Sequence, residues 1–165
     1  MRFLFLTLLL QLCLSVSAHA AAKPFTAVVG QVFDGDTFIT STGQTIRLLG
    51  INTPEPSTGR RPAEAGGDAA SRFTKKLLSG QSVTIQPYNK DRYGRTLAHV
   101  YLGKVWVNEH LVRQGQAHVY TFPDNRDNVA PLLTAEAAAR KEKLGLWSLP
   151  HWRIRPATTC CKASD

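Results

Sequence analysis

The chain has 165 residues, with 20 Lys and Arg against 12 Asp and Glu, and a formal net charge of +8. That length suits one domain with a real hydrophobic core, and the charge points to a polyanionic partner: nucleic acid, acidic polysaccharide or an anionic surface. Cys13 lies in an N-terminal apolar run and Cys160 and Cys161 are adjacent near the end, so the cysteines cannot staple a core. Two neighbouring thiols also fall short of the about four ligands of a structural zinc site.

Met1 and Arg2 precede an apolar run over residues 3–16, and the small residues of SAHAAA follow. Charge, apolar stretch and an A-x-A site in that order read as a secretory signal peptide over 1–20, cut after Ala20. The run is shorter than the roughly 20 apolar residues that span a bilayer. The expected product is an exported protein, periplasmic or extracellular, with no membrane attachment after cleavage. Its domain is expected over 24–148, with a polar tail over 149–165. A monomer is expected.

Residues 25–33 (FTAVVGQVF), 37–42 and 44–50 are rich in β-branched and apolar side chains, and Asp-Gly and Thr-Gly fill the short gaps. They read as a three-strand meander. Residues 67–80 carry apolar positions at helical spacing with glycine at both ends, which predicts a helix. Two strands follow, over 81–88 and 95–103, and then helices over 105–115 and 130–148. Five strands with a helix between the third and fourth make an α+β domain built on a closed barrel of oligonucleotide-binding (OB) type.

Charged residues gather where the strand pattern breaks. They lie in DGDT (34–37), at Arg47 in the third strand, in NTPE (52–55) and in DRYGR (91–95). Asp and Gly are ordinary turn residues, and Arg47 points either out of the barrel or into its mouth. Together, however, they supply one chemistry. A hard cation such as Ca²⁺ takes oxygen ligands, and Asp36, Asn52 and the Thr53 carbonyl offer three. Arg47 and Arg95 form a clamp for phosphate. Glu55, stiffened between Pro54 and Pro56, is placed to orient or deprotonate a water. Phosphoryl transfer uses these parts.

These segments resemble the staphylococcal nuclease (thermonuclease) family. DGDT, RLLGINTPE, SRFTKKLLSG, DRYGR, VNEHLVRQGQAHVY and AEAAARKEKLGLWS stand in that family's order from about residue 25 to 148. The resemblance implies a five-stranded barrel with three helices. It also implies a Ca²⁺-dependent phosphodiesterase acting on DNA and RNA, single-stranded or locally unpaired, that leaves 5′-hydroxyl and 3′-phosphate ends. Carried over by position, Asp36 is the metal carboxylate, Thr53 the carbonyl ligand, Arg47 and Arg95 the catalytic arginines and Glu55 the candidate base. Tyr93 and Tyr120 match aromatics that meet the nucleotide. The chain departs from the pattern at Asn52, where the family has a metal-binding aspartate. Asparagine keeps one carbonyl oxygen and loses the charge, so Ca²⁺ affinity is expected to fall by ~10–100-fold, with Asp34 compensating from behind.

The remaining features read as structural. Trp106 and Trp147 fall in apolar helical patterns and are expected to pack. His99, His110, His118 and His151 show no metal-ligand spacing. The stretch 59–67 (GRRPAEAGG) reads as a flexible loop. Two other functions compete with a nuclease: a non-catalytic binder of single-stranded nucleic acid, and an adhesin for acidic polysaccharide. A pure binder has no use for Glu55 beside a phosphate, where a carboxylate repels.

Overall fold

The computed structural model of the protein describes residues 23–121, 128–150 and 152. The expected signal peptide and Cys13, Cys160, Cys161 and His151 lie outside them, as does the tail apart from residues 149, 150 and 152. The meander forms as expected: β1 (Phe25–Val32), β2 (Thr37–Thr40) and β3 (Thr45–Leu48) are antiparallel neighbours. After the short strand β4 (Ile51–Asn52) and helix α1 (Gly67–Leu78), β5 (Ser82–Lys90) pairs with β1, and β6 (Thr96–Leu102) pairs with β5. Parallel pairing of β3 with β6, Arg47 opposite Leu97, closes the five-stranded barrel. Closure removes the free strand edges that an open sheet would present to solvent.

Alternation fills the interior. Val29, Val32, Phe38, Ile46, Leu48, Val83, Ile85, Ala98 and Val100 all point inward and are buried. Leu78 of α1 closes one end. Val107, Leu111 and Val112 of α2 (Val107–Arg113) and Leu132 of α3 (Val129–Lys141) complete the core. Asn108, fully buried, pins α2 to the barrel. Its Oδ1 accepts from the Val100 N–H at 3.0 Å, and its Nδ2 donates to the carbonyls of Leu49 (2.9 Å) and Ala98 (3.1 Å). One side chain thus satisfies three backbone groups where β3 ends and β6 runs past it.

Two expected helices begin or end elsewhere. Residues 105 and 106 are not helical: β7 (Val105–Trp106) folds back on β6, with Leu102 opposite Val105 across a two-residue Gly103–Lys104 loop. Gly103, at φ +57°, opens that hairpin turn, which the helical spacing of the valines hid. The helix expected over 130–148 stops at Lys141, and a separate 3-10 turn spans Gly145–Ser148. Lys143 at φ +55° ends it. Gly145 then lies so close to the Gly115 carbonyl that neither glycine has room for a Cβ, and the Leu146 N–H donates to that carbonyl at 2.8 Å. A two-residue ladder that the sequence did not suggest, β4 with β8 (His118–Val119), sets Asn52 opposite His118.

Trp147 packs under the Arg140 guanidinium, 4.0 Å from its ring centre, and Trp152 meets Trp147 edge-on at 4.7 Å. Trp106 meets His99 edge-on at 5.2 Å. Among the described residues no helix is long and apolar enough to cross a membrane.

Candidate active site on the barrel wall

Asp36 occupies the tight link between β1 and β2 and is 4% exposed. Its Oδ1 faces the Arg47 Nε at 3.1 Å and accepts from the Thr37 hydroxyl at 3.1 Å. Its Oδ2 accepts from the Thr53 N–H (2.8 Å) and hydroxyl (3.1 Å). Gly35 makes this closeness possible, because a Cβ there would strike the Thr53 side chain. The DGDT turn and the NTPE loop are thereby locked together by one buried carboxylate. Asp34 Oδ1 accepts from the Asp36 N–H at 2.9 Å, and burial together with the Asp36 charge pushes its carboxyl up to about 7. A charge on Asp34 is costly there because the place is dry and Asp36 is close, and a cation bound beside it would relieve that cost.

Arg47 lies on the outer face of β3, between the inward Ile46 and Leu48, and its side chain is 13% exposed. Its terminal nitrogens donate to the carbonyls of Leu48 and Ile51 (2.9 Å to Ile51) and to Asn52 Oδ1 (2.9 Å). With the Asp36 contact, four of its N–H groups are committed, so its position is set by the barrel itself. Of the two expected orientations, Arg47 points outward.

Glu55 sits two residues past Thr53, half-buried. The backbone around it is fastened to the start of α1. Its N–H donates to Glu64 Oε2 (3.0 Å), its carbonyl accepts from the Glu64 N–H (2.9 Å), and Gly67 packs directly on that carbonyl. Two residues on, the Ser57 N–H and hydroxyl donate to Asp68 Oδ1 (2.8 and 2.9 Å), which holds the Asp68 carboxyl below the usual range. The Glu55 carboxylate itself takes no partner among the described residues, so its lone pairs remain for a water or substrate proton.

Arg95 precedes β6 by one residue, two positions from Leu97, the register partner of Arg47, so both arginines emerge on the same face. Asp91 positions it: Oδ2 meets the Arg95 Nε at 2.7 Å and Oδ1 accepts the Arg95 backbone N–H at 3.0 Å. The Tyr93 ring lies 5.4 Å from the Arg95 guanidinium and 4.9 Å from that of Arg92, and Tyr93 is 68% exposed. Tyr120 follows β8, its N–H donating to the Gly50 carbonyl at 2.9 Å. Asp91 and Thr37 were missed in the sequence. The signal for Asp91 was its place four residues before Arg95 across a glycine turn.

The donor set suits a hard cation: two acidic carboxylates, an amide oxygen and a main-chain carbonyl, all hard oxygen donors. The Gly35 close approach draws Asp36 and Thr53 together, Asp34 accepts from the Asp36 N–H, and Asn52 Oδ1 meets Arg47, which itself faces Asp36. Residue types of this kind suit a hard cation with less negative charge than three carboxylates would carry. Among the described residues no three His, Cys, Asp or Glu side chains come together in one metal-binding group.

A closed five-stranded barrel with carboxylates and arginines on its outer wall defines a class, the OB-type barrels. The comparisons narrow it. A family model described as staphylococcal nuclease homologue matches residues 45–149. The thermonuclease of Staphylococcus hyicus is 38% identical over 132 residues, covering 77% of this chain and 78% of that protein. The thermonuclease of Staphylococcus intermedius is 38% identical over 126 residues, covering 73% and 74%. An uncharacterized endonuclease of Escherichia coli is 37% identical over 132 residues, covering 75% and 80%. The chain belongs to the staphylococcal nuclease family; it is a nuclease, a hydrolase with nucleic acid substrates.

Proposed function

We propose that the protein is an exported, Ca²⁺-dependent, sugar-nonspecific nuclease. It hydrolyses DNA and RNA, single-stranded or locally unpaired, to 5′-hydroxyl and 3′-phosphate ends. Its domain runs over 24–148, behind a signal peptide at 1–20, and it works as a monomer in the periplasm or outside the cell. The observation that carries the reading is the wall of the barrel. It carries a barrel-fixed arginine paired with a buried carboxylate, a second arginine on the same face and, in the loop that the same carboxylate ties down, a glutamate whose carboxylate has no partner among the described residues.

Asp36, Asn52 and the Thr53 carbonyl would hold the cation, with Asp34 behind them. Bound there, Ca²⁺ would draw the scissile phosphate in and neutralise part of its charge. Arg95 keeps its terminal NH₂ groups available and Arg47 keeps one N–H, so both donate to the phosphate oxygens as charge grows on them. Glu55 accepts a proton from the attacking water as the new P–O bond forms. The P–O5′ bond breaks, the 5′ oxygen takes a proton from solvent water and the phosphate stays on the 3′ side. Tyr93 and Tyr120 flank the nucleotide.

The test is cleavage of single-stranded DNA by the purified protein across a Ca²⁺ titration, with a chelator control and Glu55→Gln alongside. Expected are cleavage only at high calcium and a fall of ~10²–10⁴-fold in turnover for the variant. Tight binding without cleavage at any calcium level would overturn the reading, as would a variant that cuts like the parent.

A further inference from the structure

The barrel closes in register rows, and one row has a property that the site above does not use. Residues paired across a ladder share a face. Val32 pairs with Phe38, Phe38 with Ile46 and Ile46 with Thr96, and all four are buried. The next row must therefore face outward. Arg47 lies at its centre, with Thr37 on one side and Leu97 on the other. Beyond Thr37 the row reaches Phe33, whose N–H donates to the Thr37 carbonyl at 2.9 Å. Beyond Leu97 it reaches Asn89.

At that far end the ladder slips. Pro87 opposes Ala98 and Asn89 opposes Leu97, so β5 spends two residues where β6 spends one. The extra residue is Tyr88. A bulge re-aims side chains and leaves neighbours on one face, so Tyr88 stands beside Asn89 on the outer wall. The row thus ends in an aromatic ring at each side: Phe33, 44% exposed, and Tyr88, 41% exposed. Each lies two strands from Arg47, about 10 Å along the sheet at about 4.8 Å per strand. Lys90, two residues further along β5, is exposed.

Large aromatic residues exposed on both sides of the arginine proposed to bind phosphate, on a chain of net charge +8, match what single-stranded nucleic acid offers. It has a polyanionic backbone and bases free to leave their stack. We propose that Phe33 and Tyr88 are stacking platforms for the bases flanking the scissile phosphate of a single strand laid across the barrel wall. The inference rests on the nuclease reading for the position of the phosphate. It adds that bases on both sides are gripped and that paired bases are not. Either ring takes any base, since every base has a π-face. A duplex keeps its bases turned inward and cannot use them.

The test measures binding and cutting separately on the full chain. Fluorescence anisotropy in chelator follows a labelled eight-nucleotide oligothymidylate, a two-nucleotide probe and a blunt duplex. Variants are Tyr88→Ala, Tyr88→Phe, Phe33→Ala and Phe33→Tyr. Each alanine variant should bind the eight-mer about tenfold more weakly, within the range of one lost base stack. The aromatic replacements should restore it, and duplex binding should not move. Cleavage of the eight-mer should show the same change in KM with kcat nearly kept. An unchanged eight-mer affinity in the alanine variants would overturn the inference, and so would an equal loss on duplex. If the parent shows this aromatic-dependent binding but never cuts, the nuclease mechanism fails and the platforms stand. If the parent cuts and Tyr88→Ala cuts with the parental KM, the platforms fail and the mechanism stands.

Discussion

Arg47 and Arg95 carry the same guanidinium to the same face, yet they are held in opposite ways. Arg47 rises from a strand in the closed wall, 13% exposed, with four of its N–H groups tied to Asp36, Asn52 and two main-chain carbonyls. Arg95 sits at the end of a hairpin, 33% exposed, held by Asp91 and lying beside the exposed ring of Tyr93. One arginine is part of the architecture and the other is attached to it. In the proposed phosphate-binding role, a pair built this way has a fixed jaw and an adjustable one.

The contrast can be broken most sharply at the fixed jaw. Arg47→Ala removes the cation from a buried carboxylate, so stability should fall by about 3 kcal/mol, as for breaking a buried pair. Turnover should fall by at least ~10³-fold. Thermal unfolding and single-turnover cleavage would show both losses; a variant that unfolds like the parent would mean Asp36 does not depend on Arg47. Arg95→Ala comes next. A similar loss of turnover, ~10²–10³-fold, should appear with a stability change within about 1 kcal/mol, because the Asp91 pair is partly solvated. Equal destabilisation by the two variants would erase the distinction. The smallest effect belongs to Asn52→Asp. A third carboxylate should tighten Ca²⁺ binding by ~10–100-fold in calorimetry while adding a charge to the Arg47 contact. An unchanged calcium affinity would make Asn52 only a hydrogen-bond partner of Arg47.

Much of this was legible in the sequence because the strands alternate cleanly. Val29, Phe38, Ile46 and Ile85 could face only one way, and glycine-marked turns set the meander. What stayed hidden was decided at a distance or in two residues. Val105 and Trp106 share the apolar spacing of the helix they precede, and only the Gly103 hairpin turns them back. The ladder between Asn52 and His118 is too short to carry any period. At the site, residue types pointed to Asp36, Arg47, Glu55 and Arg95, but not to what holds them. The roles of Asp91, of Thr37 and of the Thr53 hydroxyl arise from distances under 3.2 Å that no spacing encodes.

The parallel seam between β3 and β6 joins residues 46–48 to 96–98, with β4, α1 and β5 in between. A chain emerging from the ribosome therefore carries Asp36, Arg47 and Glu55 well before the segment that supplies Arg95 and the partner strand. Such a long-range seam forms late in folding, because its loop must close before any contact rewards it. Until then the two jaws have no fixed relation to each other. The candidate site is therefore whole only once the last wall of the barrel has closed.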